Sequence, residues 1–194
     1  MPYSAIFYIL KYEHLFGKGF YLTIEKINSY IENNNINIDN CDRLNFFGKS
    51  ALYCNIYNKD LILLSPDFYK KLSSEQLEIL AEECGHHATS VGDTFINTDL
   101  YYKKLEVSKS EKKAILWATN YIIDEYDLKK YIKQSCSVEE LTSYLGITEE
   151  FLYEYLYCKR NKIHYLDLGD NKILDLYKLP NLHIMERSEI NETT

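Results

Sequence analysis

Apolar residues recur at helical spacing through most of the chain and gather into short runs in one window, so the pattern alone divides the sequence. Across residues 23–33, Ile24, Ile27, Tyr30 and Ile31 share one helical face, and the run ends at the turn-rich Asn33-Asn34-Asn35. The character changes over residues 51–65. There Leu52-Tyr53-Cys54-Asn55-Ile56-Tyr57 and Leu61-Ile62-Leu63-Leu64 flank Asn58-Lys59-Asp60, which predicts a β-hairpin with a buried second strand. Pro66 then stops the ladder, because it offers no N–H.

Ser73 and Gln76 form a capping-box pattern that opens a helix reaching Ala88 or Thr89, with Leu77, Leu80, Ala81, Cys84 and Ala88 on its core face. Residues 91–102 read as a loop. A second strong helix covers residues 110–124 and carries Ala114, Trp117, Ala118 and Ile122. Ser137 and Glu140 form another capping box for a helix to Leu145; Gly146 breaks it, and Thr148 caps a further helix to residue 157. These elements predict an α+β fold: a mostly helical domain over residues 1–168, with a small hairpin before the helix at 73 and a C-terminal helical pair at 137–158. Residues 169–194 read as a polar, partly flexible tail.

Composition narrows the function classes. The 194 residues carry 22 Lys+Arg against 29 Asp+Glu, a net charge of −7, which argues against a general binder of nucleic acid or anionic membrane. No apolar run approaches the roughly 18 residues of a membrane span, and the start Met1-Pro2-Tyr3-Ser4 lacks the basic region of a secretory signal. Cys41, Cys54, Cys84, Cys136 and Cys158 are odd in number and scattered without a CxxC pair, so neither a disulfide framework nor a thiolate zinc site is expected. The expectation is a reduced cytoplasmic protein.

Candidate chemistry concentrates in Glu82-Glu83-Cys84-Gly85-His86-His87. With Glu82 at the origin, helical geometry puts His86 at about 40°, Glu83 at about 100° and His87 at about 140°, away from an apolar face near about 215°. Glu82 and His86 are i, i+4 neighbours able to grip one ion with Glu83 beside them, the spacing used by HExxH zinc peptidases. Glu83 and His87 satisfy the same spacing, and periodicity alone leaves both registers open. A mid-helix glycine costs about 1 kcal/mol relative to alanine, so Gly85 signals a backbone that approaches closely. Glu111, Ala114 and Ala118 share a face of the later helix, where small residues permit such an approach and Glu111 can reach a common ion.

Together these segments resemble the ImmA/IrrE-type metallo-endopeptidases, the DUF955-like minigluzincins of bacteria, phages and mobile elements. The resemblance rests on Leu80-Ala81-Glu82-Glu83-Cys84-Gly85-His86-His87, on Thr89-Ser90-Val91-Gly92-Asp93 and on Glu111-x-x-Ala114-x-x-Trp117-Ala118, and it spans residues 15–160. In that family the motif usually reads H-E-x-G-H, and a Glu from an E-x-x-A helix completes the zinc site. The resemblance implies a zincin-like fold with His86 as second ligand, Glu83 as general base and Glu111 as third ligand. Glu82 stands where the family has its first histidine. Carboxylate oxygen is a zinc donor, and a harder, oxygen-rich site also suits Mn²⁺ or Fe²⁺. The implied activity is hydrolysis of a protein substrate such as a helix-turn-helix transcriptional repressor, with no membrane or direct nucleic-acid partner.

Two other readings stand beside it. The chain is a degenerate peptidase fold that binds a partner without cutting, or the 137–158 pair is a helix-turn-helix that contacts DNA. Glu149, Glu150 and Glu154 on the second helix disfavour the last, since phosphate contact needs basic groups. The 61–64 strand or its neighbour offers an edge for an extended peptide. His87, Tyr101, Tyr102 and Tyr121 are candidate oxyanion donors that no spacing separates. His14, His164 and His183 read as ordinary histidines, and Cys84 as a small core residue.

Overall fold

The computed structural model describes residues 18–89, 101–135 and 137–188. Helix α1 (Lys18–Asn33) starts earlier than the apolar spacing predicts and buries Ile24, Ile27 and Ile31 on its inner face. Strand β1 (Asn37–Asn40) follows, then a 3-10 turn (Asp42–Phe47) anchored by buried Leu44, then β2 (Ala51–Ile56) and β3 (Lys59–Leu64). The β2–β3 hairpin turns on Tyr57 and Asn58, whose φ values of 51° and 59° are those of a type I′ turn. Lys59 and Asp60 therefore belong to the strand and not to the turn.

The sheet order is β1-β3-β2, with β1 parallel and β2 antiparallel to β3. The 61–64 segment is thus the central strand, and its two neighbours, β1 and β2, lie at the rims. The β2 ladder shows which groups face outward. Ser65 N–H donates to Ser50 O (2.9 Å), so residues 50, 52, 54 and 56 bond to β3, while Ala51, Tyr53 and Asn55 turn their main-chain groups away.

Helix α2 (Ser73–Thr89) buries Leu77, Leu80, Ala81 and Cys84, as its spacing requires, whereas Ala88 is exposed because the last turn runs past the core. Its cap lies one residue earlier than the sequence pattern suggests. Leu72 N–H donates to Glu75 (2.9 Å), and Gln76 Nε2 donates to Lys71 O (2.9 Å). Helix α3 (Tyr101–Ile122) already includes residues 101 and 102 of the expected loop; residues 91–100 lie outside the described residues. Asp124, expected within this helix, instead caps α4 (Glu125–Gln134), accepting from Tyr126 N–H (2.8 Å) and Asp127 N–H (3.2 Å).

The C-terminal pair forms as α5 (Val138–Leu145) and α6 (Glu149–Arg160). Ser137 Oγ accepts from Glu140 N–H (3.1 Å), Gly146 takes φ 70°, and Thr148 Oγ1 accepts from Phe151 N–H (3.1 Å). Residues beyond 169 are not a tail. Strands β4 (Tyr165–Gly169), β5 (Lys172–Asp175) and β6 (His183–Glu186) make a second antiparallel sheet, so a boundary at 168 would cut a hairpin. Leu166, Leu168 and Leu174 join the core from one face of this sheet and Ile173 is buried on the other, and their burial offsets the polarity of the segment. One hydrophobic cluster runs from Ile24 through Leu64, Leu80 and Leu152 to Leu174, giving an α+β fold around a shared core. No described helix is long and apolar enough to cross a membrane.

Candidate metal centre

Gly85 sets the spacing of the two helices that carry the site. A Cβ placed on it would overlap the Ala114 carbonyl oxygen and come within 2.9 Å of the Ala114 Cα, so α2 and α3 meet backbone to backbone. Ala114 and Ala118 on the facing side are fully buried, as the small-residue stripe requires. This contact sets Glu111, one turn before Ala114, beside the exposed edge of α2.

Glu82, His86 and Glu111 come together there. Each offers one ligand atom, and these atoms lie within 4.8 Å of one another. His86 Nε2 donates to Glu111 Oε2 (3.0 Å); the imidazole is 12 % exposed and the carboxylate 36 %. Burial, followed by the Glu111 charge, raises the Glu82 carboxyl above its ordinary value. The His86 hydrogen bond holds Glu111 below the carboxylate norm. Burial pulls His86 down, but the Glu111 hydrogen bond and the charges of Glu83, Glu111 and Glu82 outweigh it, so the imidazole holds its proton more tightly than usual. The site thus gathers positive charge to offset its carboxylates. A donor set of one imidazole nitrogen and two carboxylate oxygens fits zinc and the harder first-row divalent ions.

Glu83 turns elsewhere. The residue is 8 % exposed, and its carboxylate accepts from the Tyr53 main-chain N–H on β2 (2.6 Å). Burial pushes its carboxyl up to about 7, against the opposing pull of the His86 charge and the Tyr53 N–H. A buried carboxylate poised near neutrality is suited to proton transfer.

The two registers left open by periodicity are separated in space. His87 lies outside the Glu82/His86/Glu111 group: its Nδ1 faces the Tyr30 hydroxyl (2.8 Å) and its Nε2 faces Asp60 Oδ2 (3.7 Å). Tyr121 donates to Lys26 O (3.2 Å) and stacks on Trp117 at 4.5 Å, so its hydroxyl points at α1. The side chains of Tyr101 and Tyr102, and all of His14 and Cys136, lie outside the described residues. His164 stacks on Tyr165 at 4.1 Å, and His183 is exposed on β6. Cys84 is fully buried, and burial pushes its thiol up to about 12, as befits a core residue.

Sequence reasoning missed Tyr53, Asp60 and Lys49. The charge of exposed Lys49 lowers Glu82, Glu83 and Glu111 alike. Only the position of the hairpin just before the motif helix hinted at these residues. No family model, curated protein or solved structure matches the chain.

Proposed function

We propose that this chain is a metal-dependent endopeptidase of the ImmA/IrrE type, cutting a protein substrate such as a helix-turn-helix repressor. The observation that carries the reading is the meeting of Glu82, His86 and Glu111 on two helices locked by Gly85, with the neighbouring Glu83 buried against strand β2. Glu82, His86 and Glu111 would hold the ion. A bound divalent cation supplies polarisation of the scissile carbonyl and acidification of water.

The other parts of the chemistry belong to the chain. Glu83 takes a proton on the carboxylate oxygen not committed to Tyr53 and returns it to the leaving amine. The outward main-chain groups of half-buried Asn55 on β2 offer hydrogen bonds to an extended peptide. The helix at the end of the C-terminal pair does not favour DNA recognition. Its N-terminus is held by Glu78, which accepts from Thr148 N–H (2.5 Å) and Thr148 Oγ1 (2.9 Å), and Phe151, Leu152, Tyr155 and Leu156 are buried.

The test is incubation of the zinc-loaded chain with a repressor encoded beside it. Cleavage by the wild type, lost by about 10²-fold or more in Glu83→Gln with the circular dichroism spectrum retained, supports the reading. Stable binding of an intact repressor by both proteins would instead favour a non-cutting partner protein.

A further inference from the structure

Tyr53 sits at the middle of β2 and makes two unlike contacts. Its main-chain N–H, which the ladder turns outward, donates to Glu83 Oε2 (2.6 Å). Its phenol donates to Asp60 Oδ1 (2.6 Å), across the hairpin. Asp60 is itself held by Asn55 Nδ2 (2.9 Å), and its second oxygen faces His87 Nε2, whose ring partner is the Tyr30 hydroxyl. The His87 ring lies edge-on to both Tyr30 (5.7 Å) and Tyr53 (5.6 Å). Four elements, α1, α2, β2 and β3, therefore converge on the one residue that offers its N–H to Glu83.

We propose that Tyr53 is the positioning residue for Glu83: its N–H aims the carboxylate, and its phenol, locked on Asp60, fixes the strand segment that presents that N–H. The inference rests on the assignment of Glu83 as the base. An edge-strand N–H would ordinarily bond to water, and a glutamate on a helix would ordinarily sample several rotamers. The pairing removes both freedoms. Asp60 anchors the phenol and is itself held by Asn55, while His87 faces its other oxygen from the same helix that carries Glu83. A displacement of about 1 Å at a catalytic group costs on the order of a hundredfold in rate, so releasing this anchor affects turnover more than substrate capture.

The experiment uses the full chain and two conservative variants, Tyr53→Phe and Asp60→Asn, with amide hydrogen exchange read by NMR. In the wild type the Tyr53 amide exchanges more slowly than the outward amide of half-buried Asn55. Glu83→Ala abolishes that protection, and each conservative variant reduces it while leaving the β3 amides unchanged. On fluorescein-labelled casein with zinc, Tyr53→Phe lowers kcat by about tenfold or more at unchanged KM. Exchange of the wild-type Tyr53 amide at the rate of the Asn55 amide, or no change in both variants, overturns the inference. So does an unchanged kcat in an active Tyr53→Phe protein. If the wild type cuts nothing, the hydrolase reading fails separately, and the exchange measurement still decides whether Tyr53 holds Glu83.

Discussion

Gly85 lies directly against the main chain of Ala114, close enough that no side chain fits between them. The candidate metal centre exists because of this contact, since it sets how far Glu111 on α3 stands from Glu82 and His86 on α2. Gly85→Ala gains about 1 kcal/mol in helix propensity but forces the helices apart. Overpacking against rigid backbone costs about 1–3 kcal/mol, so the net change is destabilising. Urea denaturation should show a lower midpoint, and zinc affinity should fall with it. An Ala variant as stable as the wild type would mean that the helices are not locked here.

Ligand variants separate the two registers. His86→Ala and Glu111→Ala should each weaken zinc binding by more than about tenfold, because each removes one of three donors. Glu82→Ala should do the same, whereas Glu82→His should hold zinc as well or better, since imidazole is the softer donor. Titration calorimetry reads all four. Unchanged affinity in both Glu82 variants would show that Glu82 is not a ligand.

The contact between α2 and α6 carries a pH signature. Burial, partly opposed by the Thr148 hydrogen bonds, pushes the Glu78 carboxyl up to about 7, and the charges of Glu75 and Glu150 push the same way. An unfolded glutamate titrates near about 4.3. Below that value both states are protonated and the group contributes nothing to the pH dependence. As pH rises to 7 the unfolded chain ionises first, so stability falls, by on the order of 2 kcal/mol. Glu78→Gln keeps an acceptor for Thr148 N–H and should lie above the wild type at pH 8 but not at pH 4. Thermal melts across that range check the sign.

Glu125 acts in the opposite sense. Hydrogen bonds from Lys129 and Lys159 hold its carboxyl down to about 2. Its contribution is therefore complete above the unfolded value and is lost as pH falls from about 5 towards 2. Glu125→Gln should flatten the acid limb of the stability profile, measured by urea midpoints at pH 3 and pH 6.

DNA binding makes a clean contrast. With the Thr148 cap of α6 held by Glu78 and the helix packed on its apolar face, the chain should leave a duplex unshifted in an electrophoretic assay at about 50 mM salt. A shift that weakens steeply with added salt would favour the helix-turn-helix reading.

The helices that hold the site were legible because their apolar spacing, Gly85 and the Ala114/Ala118 stripe all report one physical fact, close packing of α2 on α3. Glu111 lies on that stripe's face, and the family resemblance singled it out as a ligand. Strand β1 was not legible: Asn37-Ile38-Asp39-Asn40 has one apolar residue, and its pairing with β3 is made by main-chain groups that any residue carries. Strands β5 and β6 were hidden by polar flanks, although Asp170 and Asn171, with φ of 53° and 61°, mark a tight turn between Leu168 and Ile173. The Tyr53–Glu83 bond joins a backbone group to a side chain across 30 positions. Nothing in residue identity encodes such a partner, so Glu83 could be singled out from sequence but not the N–H that it accepts from. The partners of His87, Tyr30 and Asp60, were likewise out of reach of the sequence, since only the fold brings them to it.

The most direct test is diffraction from a zinc-soaked crystal at energies on either side of the zinc absorption edge. The account expects one strong anomalous peak between Glu82, His86 and Glu111, with Glu83 still held by the Tyr53 N–H. A map without that peak, in which His86 remains bonded to Glu111 alone, would contradict it.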